Sequence, residues 1–140
     1  MGTPKKTIYS FSEMFEVTCS LVAATSADIW DIPEGTIITM VLAKIKTAQV
    51  GAGDLIIGDD DDTDGYILAA NAVVAVDTIY GDAVNERGPY LYPQGQSAPH
   101  SGKWKVYTAA GKELKIQQSG TATTAAVVDV FVFGYRYQED

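Results

Sequence analysis

An acidic segment is the clearest candidate for chemistry in this chain. Five of the six residues from 59 to 64 are aspartates. Asp60, Asp62 and Asp64 alternate as in the first half of a calcium loop, where carboxylates converge on a hard cation. The twelfth position of such a loop is a bidentate glutamate, and here it is Asn71. Two interpretations therefore remain: a looser calcium site on these three aspartates, or a solvated acidic turn without a cofactor.

The remaining reactive side chains predict no catalytic group. His100 is the single histidine, between Pro99 and Ser101, and no motif of an activated serine accompanies it. Cys19 is the single cysteine, so an intrachain disulfide is impossible. Its apolar neighbours indicate a small buried side chain rather than a reactive thiol. We therefore expect a protein that is not an enzyme and that has no cofactor, with calcium as the open exception.

The charge of the chain argues against direct binding of nucleic acid. Its 10 Lys and Arg residues face 18 Asp and Glu residues, for a formal net charge of −8. Phosphate recognition depends on clustered basic side chains, and only Lys103, Lys105, Lys112 and Lys115 form a loose group. No apolar run approaches the ~20 residues that span a bilayer, and no secretory signal is recognisable. We expect synthesis in a reducing cytoplasm and no membrane contact.

The periodicity predicts an all-β domain. Thr36–Thr47 alternates with a period of two and has one continuously apolar face, which is typical of a strand. The segment 66–72 is ambiguous, with one or two helical turns as one option. The total of about eight strands predicts a single-domain, jelly-roll-like β-sandwich over residues 13–140, after an N-terminal arm at 1–12. The other predicted strands lie at 13–23, 27–32, 54–57, 73–79, 90–92, 104–109, 113–118 and 126–137.

Two segments without a core periodicity are predicted to contact other subunits. They are the N-terminal arm and a long glycine- and proline-rich segment at 81–102. A segment that orders on binding can cover a large surface. The alternative is a mobile tail and a loop that folds over its own sandwich. The predicted interface residues are Ile8, Tyr9 and Phe11 in the arm, and Tyr90, Leu91 and Tyr92 in the long segment.

Two stretches carry turn and strand motifs in an order that suggests a family. Residues 32–66 contain an Ile-Pro-Glu-Gly-Thr turn, the long strand and an Asp-Thr-Asp-Gly-Tyr turn, and residues 120–137 end in an alternating strand. Together they resemble the head decoration or capsid cement proteins of tailed bacteriophages. The resemblance implies a jelly-roll-like homotrimer on the outer surface of the virion, bound to the major capsid protein. The arm and the segment 81–102 have no counterpart in it.

The aromatic residues keep a second function open. Trp30, Tyr90, Tyr92, Trp104 and Tyr107 could stack on sugar rings or fill subunit contacts, where Tyr and Trp are enriched. The first hypothesis is a structural virion protein that decorates and stabilises a phage capsid. The alternative is a carbohydrate- or receptor-binding module of a phage fibre or of a secreted enzyme.

Overall fold

The computed structural model describes residues 2–3, 5–20, 25–51, 53–71, 75–91, 104–118 and 124–139. These residues form nine strands and one short 3-10 helix, and none of them belongs to a helix that could cross a membrane. The 3-10 helix spans Val84–Glu86. The strands are β1 (Lys6–Thr18), β2 (Ser26–Ile32), β3 (Thr36–Thr47), β4 (Asp54–Gly58), β5 (Ile67–Asn71), β6 (Ile79–Tyr80), β7 (Val106–Tyr107), β8 (Lys112–Gln118) and β9 (Val127–Glu139).

The strands form two antiparallel sheets that pack face to face. The first sheet has the order β1-β9-β3-β6, with β7 also paired to β3, and the second has the order β2-β8-β4-β5. The chain thus alternates between the sheets in its first strands and returns at its end to pair β9 with β1. Two sheets connected in this way form a jelly roll, so the predicted all-β sandwich is confirmed.

The core lies between the sheets, and alternation along the strands supplies it. Side chains on one side of each strand face the opposite sheet, because successive residues of a strand point to opposite faces. The side chains that point away from the core differ between the two sheets: many are apolar on the first sheet, and several are charged on the second. The fully buried residues include Ile38, Val41, Ala43 and Ile45 of β3, Val128, Val130 and Val132 of β9, and Leu55, Ile57, Leu114 and Ile116 of the second sheet.

The N-terminal segment differs from the arm predicted at residues 1–12. From Lys6 onward it belongs to β1, which pairs with β9 along its whole length. Phe11 and Phe15 pack on Trp30, and their ring centroids lie 5.6 and 5.7 Å, respectively, from that of Trp30. The serines that suggested an arm occupy exposed positions of an edge strand, where polar side chains are tolerated. The segment that follows Lys6 is therefore part of the sandwich.

Several short elements also differ from the sequence prediction. The ambiguous segment 66–72 contains the strand Ile67–Asn71 and no helical turn among its described residues. Of the strand predicted at 73–79, residues 73–74 lie outside the described residues, and the described part is strand only within Ile79–Tyr80; the strand predicted at 104–109 is shortened to Val106–Tyr107. Residues 89–91 form a turn where a short strand was predicted. A short segment has too few alternating residues for its sequence to predict a strand. Its conformation depends instead on the strand with which it forms hydrogen bonds.

Candidate functional site: an acidic turn and an apolar sheet face

The acidic turn connects β4 to β5 and is organised by its first aspartate, Asp59. The Asp59 carboxylate oxygen Oδ1 accepts hydrogen bonds from the backbone N–H groups of Asp61 and Asp62, at 2.9 and 3.0 Å. The Asp59 N–H donates to the Asp62 carbonyl at 2.9 Å. Gly58 allows this tight return, since a Cβ there would lie 2.0 Å from the Asp62 carbonyl oxygen. The turn therefore has one defined backbone conformation.

The side chain of Asp59 is fully buried at the centre of a hydrogen-bonded network. Tyr107 donates its hydroxyl to Asp59 Oδ2 at 2.7 Å, and Tyr90 donates to Oδ1 at 3.1 Å. Lys105 Nζ lies 2.5 Å from Oδ2. The Tyr66 and Tyr107 hydroxyls are 2.7 Å apart, and Tyr66 is the donor because Tyr107 donates to Asp59. The buried charge is thus both paired and hydrogen-bonded, as burial of a carboxylate requires.

The neighbouring aspartates are neutralised by lysines. Lys105 and Lys112 contact the two oxygens of Asp61, each at 2.8 Å. Lys115 contacts Asp60 at 2.7 Å. The loose group of lysines in the sequence is therefore largely the internal counter-charge of the acidic turn. This use leaves less of the group available to bind phosphate.

The three aspartates predicted to bind calcium have different surroundings. Asp60 faces Lys115, whereas Asp62 Oδ1 accepts the backbone N–H of Asp64 at 3.3 Å. A hydrogen bond with Asp62 and partial burial raise the pKa of the Asp64 carboxyl. Within the described part of the chain, no three His, Cys, Asp or Glu side chains are grouped so that they could hold a metal ion. Calcium binding stays a prediction from the sequence, without support from this arrangement.

The network keeps its carboxylates ionised and its tyrosines neutral. Burial acts to raise the pKa of Asp59, but hydrogen bonds from Lys105 and Tyr107 outweigh it and hold the pKa below its usual value. Hydrogen bonds from Lys105 and Lys112 lower the pKa of Asp61 to about 2. Burial raises the pKa of Tyr90 to about 12. The pKa values of these groups therefore lie further from neutral pH than usual. Such values suit a stabilising network better than a site of proton transfer.

Acid is expected to weaken the fold through Asp61. Its folded-state pKa lies below the ordinary value of 3.8, so its ionised form favours the folded state above that value. This contribution is lost as the pH falls from about 4 toward about 2. Urea unfolding at a series of pH values should show a shallower acid-induced loss of stability in Asp61→Asn than in the wild type. Asp82→Asn, at an exposed position outside the turn, is the control, and equal slopes for the Asp61 variant and the wild type would contradict the prediction.

The outward side of the first sheet carries apolar side chains on every strand, together with Ser10 and Ser12 of β1. The register places Ile8 beside Tyr137 and Met14 beside Phe131, with Leu42 on the other side of Phe131. These residues share one side of the sheet because directly paired residues point the same way. We name this surface the outer face. Its residues are Ile8, Met14, Ile37, Met40, Leu42, Ile79, Val106, Phe131, Phe133, Tyr135 and Tyr137.

Much of the outer face is open to solvent. Ile8 is 64% exposed, Met14 60% and Tyr135 43%. Trp104 is 58% exposed and lines a shallow apolar depression together with Ile8, Tyr135 and two further residues of the outer face. A continuous apolar surface of this kind is uncommon on a free monomer and marks an interaction site.

The second sheet and one end of the outer face are charged instead. On the outward side of the second sheet, Asp28 of β2 is paired in register with Lys115 of β8. Beyond Leu42 and Phe131, the outer face ends in charged residues, with Lys46 in contact with Glu16. The apolar surface is therefore confined to one side of the sandwich and has a charged border.

The N-terminal residues predicted as an interface lie on both sides of β1. Ile8 belongs to the outer face, whereas Tyr9 is 53% exposed and points to the other side, in register with Arg136. Phe11 is half-buried against Trp30. Of the three, Ile8 and Tyr9 are accessible to a partner, and Phe11 mainly packs inside its own subunit.

The residues predicted as an interface in the segment 81–102 mostly serve the domain itself. Tyr90 belongs to the acidic network, and Leu91 is buried in the core. Tyr92 and His100 lie outside the described residues. The sequence prediction did not name Phe133 and Tyr135 as interface residues.

Cys19 is placed as the sequence predicts. Its side chain is 3% exposed within the hydrophobic core, and its backbone N–H donates to the Ala126 carbonyl at 2.9 Å. Burial raises the pKa of the Cys19 thiol to about 12. A thiol held neutral in this way is a poor nucleophile, so the prediction of a small buried side chain is confirmed.

The comparisons with known proteins give matches in structure. No family model and no curated protein matches the chain. A chain of the acidic stable capsid structure of Helicobacter pylori bacteriophage KHP30 matches with a TM-score of 0.56 and 11% identity, covering 97% of this chain and 100% of that chain. The fold is one found in phage capsids. A chain of the cyanophage Pam1 capsid asymmetric unit agrees, with a TM-score of 0.56, 17% identity and coverage of 97% and 89%.

Proposed function

We propose that this protein is a structural component of a phage virion that decorates the capsid and stabilises it by binding the major capsid protein. The observation that carries the proposal is the outer face, an apolar sheet surface with aromatic residues at its centre. A structural fold shared with chains of two phage capsids over 97% of this chain supports the same assignment. Together they favour a role exercised through contacts between proteins.

The outer face has the composition of a binding surface. Aromatic residues supply a large contact area, and Phe131, Phe133 and Tyr135 stand at successive outward positions of β9. A stable contact buries roughly 800 Å² on each partner, so capsid binding would have to cover several strands of the outer face. Many copies on one lattice would then add their contributions through multivalency.

The proposal includes a homotrimer on the outer surface of the shell. A single sandwich leaves the outer face in water, whereas a trimer could cover part of it and leave the rest for the capsid. The net charge of −8 and the pairing of Lys105, Lys112 and Lys115 with aspartates favour a position away from the packaged nucleic acid. Light scattering of the purified protein tests the trimer, and a monomer mass at micromolar concentration would contradict it.

Co-sedimentation with expanded capsids that lack this protein tests the function directly. We expect the protein to pellet with the capsids and to raise their resistance to heat. Unexpanded shells are the matched control for lattice geometry. If the protein stays in the supernatant with expanded capsids and binds oligosaccharides on a glycan array, the capsid role is wrong.

Of the five aromatic residues predicted for sugar stacking, Tyr92 lies outside the described residues, and Trp104 is the one of the other four that is largely exposed. Trp104 is exposed, whereas Trp30 packs on Phe11 and Phe15. Tyr90 and Tyr107 donate their hydroxyl groups to the buried Asp59 carboxylate. A platform for sugar rings would need several such side chains side by side, and those of the outer face lie among aliphatic residues and two serines of β1, without a charged or amide group in register with Phe133 or Tyr135.

A further inference from the structure

β1 is an edge strand with an open side. Among the described strands it pairs with β9 alone, from Lys6 opposite Glu139 to Thr18 opposite Val127, without a register shift. Edge strands are commonly protected from further pairing by bulges, prolines, short length or internal lysines. β1 is long and regular, and its single lysine stands at its first position. Such an edge can accept another strand.

The side chains of β1 are complementary to those of a second β1. When two copies pair in antiparallel fashion with the two-fold axis at Phe11, each residue faces the one equally far beyond Phe11. Lys6 then faces Glu16, and Ile8 faces Met14, each pair occurring twice. All four are exposed residues on the outward side. Opposite charges and apolar pairs directly across two strands both stabilise the pairing.

Other registers of the same strand pair lose this match. With the axis at Ser12, Ile8 would face Glu16, and Phe11 would face Glu13. With the axis at Glu13, the two Glu13 side chains would face each other and repel. The register centred on Phe11 is thus selected by the sequence of β1.

We propose that β1 binds the β1 of a second copy of this chain, in antiparallel register about Phe11. The pair joins two first sheets into one and continues the outer face from one copy to the next, through Ile8 and Met14. Lys6 lies over the Tyr137 ring at 4.5 Å and Glu16 contacts Lys46 through one carboxylate oxygen. Both charged residues therefore also have partners within their own copy. Because this contact is two-fold and the proposed trimer is three-fold, it would connect one trimer to another.

Cysteine pairs can report the register. In this arrangement Ser10 faces Ser12 of the other copy, and both serines are exposed. Ser10→Cys/Ser12→Cys should form disulfide-linked dimers under mild oxidation, since directly opposite strand residues lie within disulfide reach. Each single variant is the matched control, because a residue meets its own copy only diagonally, about 7–8 Å away. Cys19 is buried and should not contribute. Absence of linked dimers from the folded double variant, or equal linking in the single variants, would overturn the proposal.

A charge exchange provides an independent measurement in solution. Lys6→Glu and Glu16→Lys each place like charges opposite each other twice, and each should weaken association by roughly tenfold in sedimentation equilibrium. The double variant Lys6→Glu/Glu16→Lys should restore the affinity of the wild type. Circular dichroism should confirm that all three variants are folded. Failure of the double variant to recover affinity would contradict the register, whatever the outcome of capsid binding.

Discussion

Asp59→Ala is expected to lower the free energy of unfolding by about 3 kcal/mol, the lower end of the range for breaking a buried ion pair. The carboxylate is fully buried and accepts from Tyr107, Tyr90 and Lys105 as well as from the backbone of the turn. The variant leaves these donors without their acceptor. Lys105 keeps Asp61 as a partner and is 20% exposed, which limits the loss.

Urea unfolding at neutral pH, followed by tryptophan fluorescence, measures this effect. Asp61→Ala is the matched control, since its side chain pairs with two lysines but is 49% exposed. We expect a much smaller loss there, because solvent screens exposed ion pairs. A loss for Asp59→Ala no greater than that of the control would show that the buried network does not stabilise the fold.

Tyr135→Glu should reduce the affinity for expanded capsids by about 100-fold, which corresponds to roughly 3 kcal/mol. Tyr135 stands in the middle of the outer face, in register with Ser10 and Ile37, and is 43% exposed. A carboxylate at this position would enter the contact without a partner and would resist desolvation. The fold should persist, because the side chain points away from the core.

The matched control for this variant lies on the opposite surface. Gln117→Glu introduces the same charge on the outward side of the second sheet, where Gln117 is in register with Ser26 and Ile56. We expect this control to sediment with capsids as the wild type does. If Tyr135→Glu also sediments like the wild type, the outer face is not the capsid-binding surface.

The long strands were predictable because a period of two over many residues has few alternatives. Thr36–Thr47 has the same bounds in the sequence prediction and in the structure. The role of Asp59 was not predictable in this way. The local sequence does not distinguish the five neighbouring aspartates from one another. Asp59 is the buried one because it contacts Lys105 and Tyr107, which are 46 and 48 residues away.

The first part of β1, from Lys6 to Ser12, was missed for a related reason. Its partner β9 lies at the other end of the sequence, and its exposed serines resemble those of an unstructured arm. The outer face could not be located either, since β9 alternates two apolar sets of side chains and the sequence does not show which set its own domain covers. The structure covers the valine side and leaves Phe131, Phe133 and Tyr135 on the outward side, partly or largely accessible.

The pairing of β1 with β9 has a consequence for synthesis on the ribosome. β1 leaves the ribosome long before β9, so its neighbour in the sheet is not available until Val127–Glu139 has been translated. Contacts this distant in sequence slow folding, because a long loop must close before they form. Until then Phe11 and Phe15 remain accessible on the nascent chain, where chaperones can bind them. The first sheet can therefore close only after β9 has left the ribosome.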